Sequence, residues 1–235
     1  MKTFKSLSRA LAVTATLALV APAVQALELP QTQTAASQAA LSPAAALAML
    51  KAGNERFVAG AMLQRDLADQ VAATASGQYP HSIVLGCIDS RVPPELVFDQ
   101  GLGDIFSPRI AGNVVTAELL GSMEFAAGVA GSRAIVVLGH TECGAVKGAC
   151  DGVELGNLTS NLAHIHPAVA AVPVAEGPRD SSNTAWVNAV AHENVALTVQ
   201  RILADSPLLK TLVDEGKLVV VGAMYDVATG KVEFL

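Results

Sequence analysis

Two cysteines and a histidine are spaced along the sequence in a way that suits a metal ion. His140 and Cys143 have two residues between them, and a tight turn over that spacing aims an imidazole and a thiolate at one ion. Cys87 would complete the set from another part of the chain. Such ligands favour zinc over magnesium or calcium. Three protein ligands leave a fourth position open, which is typical of catalytic rather than structural zinc sites.

A carboxylate and a guanidinium follow the first of these cysteines. Asp89 lies two residues after Cys87, where its carboxylate can either bind the metal or accept a proton from metal-bound water. Arg91 can hold that carboxylate off the ion through a bidentate pair. An isolated Asp-x-Arg pair is more often a surface ion pair, but its position beside a metal ligand indicates a catalytic role.

The remaining cysteine and the other histidines give weaker signals. Cys150 lies seven residues after Cys143 in a predicted helix, and we interpret it as a packed thiol. His164 and His166 lack a third ligand for a second metal site. His81 comes just before a predicted strand and is expected to face solvent.

Buried strands and helices must position these residues, and the apolar pattern predicts both in alternation. Apolar runs predict strands over 82–88, 105–110, 134–138, 218–224 and 231–235. Periodicity and capping signals predict helices over 44–58, 117–129, 144–150 and 183–204, and one that begins at 93. The alternation predicts an α/β fold with a mainly parallel β-sheet flanked by α-helices. Cys87 lies at the carboxyl end of one predicted strand and Cys143 comes after another, at the edge where such sheets bind ligands.

The composition excludes some classes of protein. The chain has 235 residues, of which 51% are hydrophobic, so it is not a disordered polypeptide. A net charge of −6 argues against a polyanionic partner, and an aromatic content of 4% leaves few platforms on which bases could stack. We therefore expect no nucleic acid among the partners of this chain.

The chain begins with the features of a secretory signal peptide, which we assign to residues 1–26. A basic start precedes a short apolar run over 10–20, and small residues follow at 24–26. The run is shorter than the roughly 20 residues of a membrane span. We expect export to the periplasm or the medium, and no membrane attachment after cleavage. Cleavage after Ala23 and an uncleaved anchor are the alternatives.

A linker and one catalytic domain are predicted after the signal peptide. Residues 27–42 are polar and lack apolar periodicity, which favours a linker. Ser42 and Pro43 then resemble a helix N-cap and its first residue, so the domain is assigned to residues 43–235. Exported proteins with disulfides usually carry an even number of cysteines, and the three present here favour metal ligation instead.

Three motifs of this domain resemble those of the β-class carbonic anhydrases. They are CIDSRV at 87–92, RIAGN at 109–113 and GHTECG at 139–144. The resemblance extends over about residues 44–235 and implies the fold of that family. It implies one zinc ion per chain, held by Cys87, His140 and Cys143, with Asp89 and Arg91 as the catalytic dyad. The implied reaction interconverts carbon dioxide and bicarbonate plus a proton, by attack of zinc-bound hydroxide on carbon dioxide.

The resemblance also implies substrate-binding positions and an assembly. Gln78, nine residues before Cys87, matches a substrate-binding glutamine, and Phe106 and Gly144 match positions that line the carbon dioxide pocket. Pro108 replaces a β-branched residue of the family and is expected to deform its strand. Members of the family form homodimers or homotetramers with active sites near the subunit interface.

The dyad and the thiolates predict a dependence on pH. Two thiolates donate more charge to zinc than imidazoles would, so we expect a less acidic bound water and most activity on the alkaline side. When the pair with Arg91 breaks, Asp89 can fill the fourth metal position in a closed state.

Three other interpretations stay open. A relative with the same centre could act on carbon disulfide or carbonyl sulfide. A zinc-binding interaction protein without turnover is disfavoured by the presence of both Asp89 and Arg91. A thiol-redox protein using Cys143 and Cys150 is disfavoured because they do not form a Cys-x-x-Cys pair.

Overall fold

The architecture is an α/β fold built on one mainly parallel sheet, as predicted. A computed structural model describes residues 31–235, and the predicted signal peptide lies outside this range. Within it the sheet has five strands in the order β2-β1-β3-β4-β5, with β5 antiparallel to β4 and the other neighbours parallel. The strands are β1 (Ser82–Gly86), β2 (Ile105–Phe106), β3 (Ala134–His140), β4 (Val219–Tyr225) and β5 (Val232–Phe234).

Helices precede the first strand and occupy the intervals between the first four strands. In the described range they are α1 (Ala35–Ala40), α2 (Pro43–Val58), α3 (Leu67–Thr74), α4 (Pro94–Val97), α5 (Ala117–Gly128), α6 (Gly144–Cys150), α7 (Gly156–Leu162), α8 (His166–Ala171), α9 (Thr184–Asp205) and α10 (Pro207–Asp214). The side chain of Ser42 accepts a hydrogen bond from a backbone N–H of α2, and Pro43 begins that helix, as the sequence predicts. None of these helices has the length and apolar character needed to cross a membrane.

The two faces of the sheet carry separate cores because side chains alternate along each strand. Ile83 and Leu85 of β1 lie in the larger core with side chains of α5, α6, α8, α9 and α10. Val84 points the other way, into a smaller core that includes Leu50 of α2 and Phe98. Every residue of β1 and β3 is buried, so the two central strands form a rigid base for the residues that follow them.

The order of the strands places a ligand-binding edge between β1 and β3. The chain runs from β1 to β2 on one side, and then crosses to β3 on the other side of β1. Loops leaving two neighbouring parallel strands in opposite directions open a crevice at the carboxyl ends of those strands. Cys87 follows β1 at this edge, and His140 ends β3 there.

Two predicted segments differ from the structure by more than two residues. The segment expected to be a linker contains helix α1, because Thr34 and Ser37 cap its start reciprocally and the buried Gln38 donates to the carbonyls of Pro80 and Ala130, both at 2.8 Å. A helix this short has little apolar periodicity to reveal it.

The second predicted strand is also shorter than expected. β2 stops at Phe106, and Pro108 interrupts the ladder because its ring nitrogen has no hydrogen to donate. An isolated bridge between Gly86 and Arg109 keeps the same parallel register beyond the proline. The predicted deformation of this strand is therefore confirmed.

Candidate metal centre

The ligand residues proposed from the sequence meet at the crevice between β1 and β3. Cys87, His140 and Cys143 are buried, and their candidate ligand atoms all lie within 4.8 Å of one another. The two sulfur atoms are 4.0 Å apart. Two sulfurs about 2.3 Å from one ion in tetrahedral geometry would be separated by about 3.8 Å. The three donor atoms therefore fit around a zinc-sized ion.

The histidine presents a free nitrogen to this cluster. His140 Nδ1 lies 2.8 Å from the carbonyl oxygen of Thr141. A carbonyl only accepts hydrogen bonds, so Nδ1 carries the proton and Nε2 carries the lone pair. Nε2 is buried and has no hydrogen-bond partner in the part of the chain that the structure describes. A buried orphan lone pair costs free energy, and a metal ion would remove that cost.

The two thiols lie close enough to share a proton. The hydrogen bond with Cys143 lowers the pKa of Cys87 to about 4. The same contact and burial raise the pKa of Cys143. The backbone N–H of Gly112 donates to Cys87 Sγ at 3.3 Å and favours its thiolate further. The contact between the two thiols thus favours an anionic sulfur in the cluster, which suits a metal ligand.

The predicted dyad is formed and faces the cluster. Arg91 donates from Nε to Asp89 Oδ1 at 2.9 Å and from a terminal nitrogen to Oδ2 at 2.7 Å, which is a bidentate pair. These hydrogen bonds lower the pKa of Asp89 to about 2. Asp89 Oδ2 is 3.8 Å from His140 Nε2. The carboxylate is therefore anionic at physiological pH and lies beside the ligand cluster.

Arg109 of the second motif is a positioning residue to which the sequence analysis assigned no role. Arg109 donates from Nε to the carbonyl of Cys87 at 2.8 Å and from a terminal nitrogen to the carbonyl of Asp89 at 2.6 Å. These two bonds fix the backbone that carries both the ligand and the carboxylate. In the sequence, this role was indicated only by an arginine that stands close to a glycine in the second motif, at 109–113.

The turn between the other two ligands is held from three sides. Glu142 has a left-handed backbone, with φ of 58°, which lets His140 and Cys143 face the same point. Thr141 Oγ1 accepts from the N–H of Val227 at 3.1 Å. The Glu142 carboxylate is paired with Lys147 on α6, and its N–H lies 3.5 Å from Asn188 Oδ1 on α9.

The structure brings only one of the three predicted substrate-binding residues to this cluster. Gly144 follows Cys143 directly, and a Cβ added there would meet no described atom within 4 Å, so the space beside the ligand is open. Phe106 pairs with Ile83, four residues before Cys87, and this places it roughly 13 Å up the strand at about 3.3 Å per residue. Gln78 lies farther back, before β1, and is exposed.

Phe106 instead lines a cavity on the outer face of the sheet edge. The cavity has a volume of about 640 Å³ and is lined by β1, by β2 with the two residues after it, and by α5, mostly through apolar residues, with Glu118 also present. Phe125 of α5 packs edge-on against Phe106 with ring centroids 6.4 Å apart, and half of its surface is exposed. Gln78 and Phe106 are therefore separated from the metal cluster of their own chain.

The other cysteine and histidines lie away from the cluster. Cys150 packs against the larger core, and burial raises its pKa to about 11, which confirms it as a packed thiol. His164 pairs with Arg201 at 3.2 Å, and no second metal group forms within residues 31–235. The expectation for His81 was wrong: it is fully buried, with contacts to Ser82 at 2.7 Å and Gln100 at 2.8 Å, because strands flank its position on both sides.

Comparison with known proteins relates the chain to one family. The sequence model of the family described as carbonic anhydrase matches residues 82–232. Carbonic anhydrase 2 of Mycobacterium tuberculosis (strain CDC 1551 / Oshkosh) is 39% identical over 191 residues, which cover 81% of this chain and 91% of the relative. The matched region contains the cysteines, the histidine and the dyad.

Solved structures agree with this relationship. The β-carbonic anhydrase CafA of Aspergillus fumigatus is 27% identical, with a TM-score of 0.63, and the match covers 82% of this chain and 89% of that chain. A chain from the structures of two tetrameric β-carbonic anhydrases of Sordaria macrospora is 24% identical, with a TM-score of 0.61 over 72% of this chain and 90% of that chain. The latter supports the fold.

Proposed function

The chain belongs to the β-class carbonic anhydrase family, and from this premise we propose that it interconverts carbon dioxide and bicarbonate with one zinc ion per chain, held by Cys87, His140 and Cys143. The observation that carries the zinc assignment is the buried His140 Nε2, which faces two thiols and has no hydrogen-bond partner within residues 31–235. One imidazole and two thiolates are a donor set that zinc prefers.

Zinc would act as a Lewis acid that lowers the pKa of water, so that hydroxide is available as a nucleophile near neutral pH. Carbonic anhydrases are the standard example of this effect. Asp89 orients that nucleophile. Because its pKa is about 2, the carboxylate can only accept a hydrogen bond, and it selects the orientation in which a hydrogen points to Asp89 and an oxygen lone pair points away. Arg91 fixes the carboxylate by its two parallel bonds. The open space at Gly144 receives the substrate.

The same dyad gives the enzyme a closed state. Asp89 Oδ2 lies 3.8 Å from His140 Nε2, so once Arg91 releases it the carboxylate could hold the zinc ion together with that histidine and the two cysteines. Water and the carboxylate then compete for one place. Rising pH would favour hydroxide over the carboxylate, and two thiolate ligands would make water on the zinc less acidic. Activity is therefore low near neutral pH and rises on the alkaline side.

Gln78 and Phe106 act on the substrate of a second copy of the chain. Neither reaches the metal cluster of its own chain. Gln78 is exposed, and Phe106 lines a cavity beside the half-exposed Phe125. An apolar surface of this kind marks a contact between proteins. A homodimer or a homotetramer would bring the substrate-binding residues of one copy to the metal centre of another. The tetrameric relatives from Sordaria macrospora are consistent with this assembly.

The location is proposed from the first residues alone. The basic start, the short apolar run and the small residues at 24–26 support export and cleavage. N-terminal sequencing of the exported protein should begin at Leu27, or at Val24 if the alternative site is used. A full-length cytosolic product would contradict export.

Exchange of ¹⁸O between labelled carbon dioxide and water tests the reaction directly. The wild type should deplete the label rapidly, whereas Asp89→Asn should deplete it slowly while retaining zinc, because the amide does not replace the anionic acceptor. Parallel measurements with carbonyl sulfide and carbon disulfide show whether either is preferred. A zinc-loaded wild type without exchange would favour an interaction protein without turnover.

A further inference from the structure

Arg91 lies between two acidic residues rather than one. Its terminal nitrogen donates to Asp89 Oδ2 at 2.7 Å and also reaches the backbone carbonyl of Glu142 at 3.3 Å. The Glu142 carboxylate is close enough that its charge, after that of Asp89, favours the protonated guanidinium and raises the pKa of Arg91. Half of the Arg91 side chain is exposed, so it has room to change partners. The other ionisable groups that act on Arg91 are Cys143 and Tyr225.

The carboxylate of Glu142 already has a cationic partner, Lys147. The two side chains form an ion pair across the start of α6. The backbone N–H of Lys147 donates to the carbonyl of Cys143 at 3.0 Å, which fixes Lys147 relative to the turn at 140–143. Glu142 itself has a left-handed backbone, and its carbonyl oxygen is the atom that Arg91 already contacts. Glu142 is thus an acceptor near Arg91 whose charge is balanced by another cation.

We propose that the Glu142 carboxylate competes with Asp89 for Arg91. Lys147 is then a positioning residue that neutralises Glu142 and so keeps Arg91 paired with Asp89. The inference rests on the proposed open and closed states and adds the residues that set their balance. Without the lysine, the unbalanced Glu142 carboxylate attracts the guanidinium. Asp89 is then released toward the fourth metal position. A residue that favours one of two states shifts their populations by the difference in its interaction energy between them.

The size of this shift follows from exposure. The Lys147 and Glu142 side chains are 33% and 38% exposed, so their pair is screened by solvent. Exposed ion pairs change an equilibrium by about two- to five-fold. If opening is coupled to loss of one proton, this corresponds to a displacement of the activity midpoint by about 0.3 to 0.7 pH unit.

A double-mutant cycle on the zinc-loaded, full-length mature enzyme separates this role from a simple charge effect. Lys147→Met should move the midpoint of the alkaline rise in kcat/KM to higher pH by that amount. Glu142→Gln removes the competitor, so adding Lys147→Met in that background should produce no further displacement. Lys210→Met, which breaks an exposed pair with Asp214 on α10, is the matched control and should leave the midpoint unchanged.

Two results would overturn the inference. If Lys147→Met displaces the midpoint equally with and without Glu142, the lysine acts on the metal centre by its charge alone. If Lys147→Met leaves the midpoint unchanged while the wild type still shows the alkaline rise, Glu142 does not compete for Arg91.

Crystal structures of Lys147→Met at a pH below its midpoint give an independent readout. Arg91 should then pair with the Glu142 carboxylate, whereas an Arg91 that remains paired with Asp89 would contradict the proposal. A wild type without any alkaline rise refutes instead the closed state itself.

Discussion

Replacing Arg91 by alanine should trap the centre in its closed state without removing the metal. In the wild type, the side chain of Arg91 is the largest cause of the fall in the pKa of Asp89 from 3.8 to about 2, and the whole shift corresponds to about 2 kcal/mol in favour of the charged carboxylate. Half of the arginine is exposed, so we discount this to about 1 kcal/mol. The ratio of open to closed enzyme should then fall at least about five-fold at a given pH, and the lost orientation of Asp89 lowers turnover further.

Stopped-flow measurement of carbon dioxide hydration across pH, together with zinc analysis, tests this prediction. Arg91→Ala should retain zinc, lose most activity near neutral pH and recover part of it only at a more alkaline pH than the wild type. Arg91→Lys should be intermediate, because an ammonium cannot form the bidentate pair. Arg201→Ala, on the exposed surface of α9, is a control that should behave as the wild type. An Arg91→Ala variant with unchanged activity and pH profile would refute the gating role and leave Asp89 as an orienting group.

Three further predictions concern the metal, the packing and acid stability. Cys143→Ser should lose zinc and activity by metal analysis, whereas Cys150→Ser should keep both; zinc loss in Cys150→Ser would contradict the ligand assignment. Gly53→Ala should cost about 3 kcal/mol or more in urea unfolding, because its Cβ would lie 1.7 Å from a backbone oxygen, whereas Gly121→Ala meets no described atom within 4 Å and should not destabilise. Burial lowers the pKa of His81, so below pH 6.5 the unfolded state takes up a proton that the native state resists. The wild type should therefore lose more stability than His81→Gln between pH 7 and pH 5, and equal losses would exclude His81 as the cause.

The cluster of two cysteines and a histidine and the central strands could be predicted because each depends on a local pattern. Continuous β-branched runs identified β1 and β3, and the topology of a parallel sheet then required their carboxyl ends to lie together. Cys87, 53 residues before His140 in the chain, could thus be assigned to the same centre. The short spacing between His140 and Cys143 completed the prediction, since a single turn was enough to bring them together.

Features that depend on long-range contacts could not be read from the pattern. Helix α1 is held by the side chain of Gln38 on carbonyls far along the chain, and His81 is buried by strands that flank it in space. Arg109 was visible as part of a motif, but its two bonds to the loop after β1 required the structure. The distance of Phe106 from the metal cluster likewise follows from strand register, which motif spacing does not reveal.

Removal and return of zinc is the measurement that tests the central claim most directly. The purified mature protein should contain about one zinc per chain. Dialysis against a chelator should abolish carbon dioxide hydration in the stopped-flow assay, and one equivalent of zinc should restore it in the wild type but not in His140→Ala. Hydration that persists in metal-free protein, or zinc that binds His140→Ala with restored activity, would contradict a catalytic centre built on Cys87, His140 and Cys143.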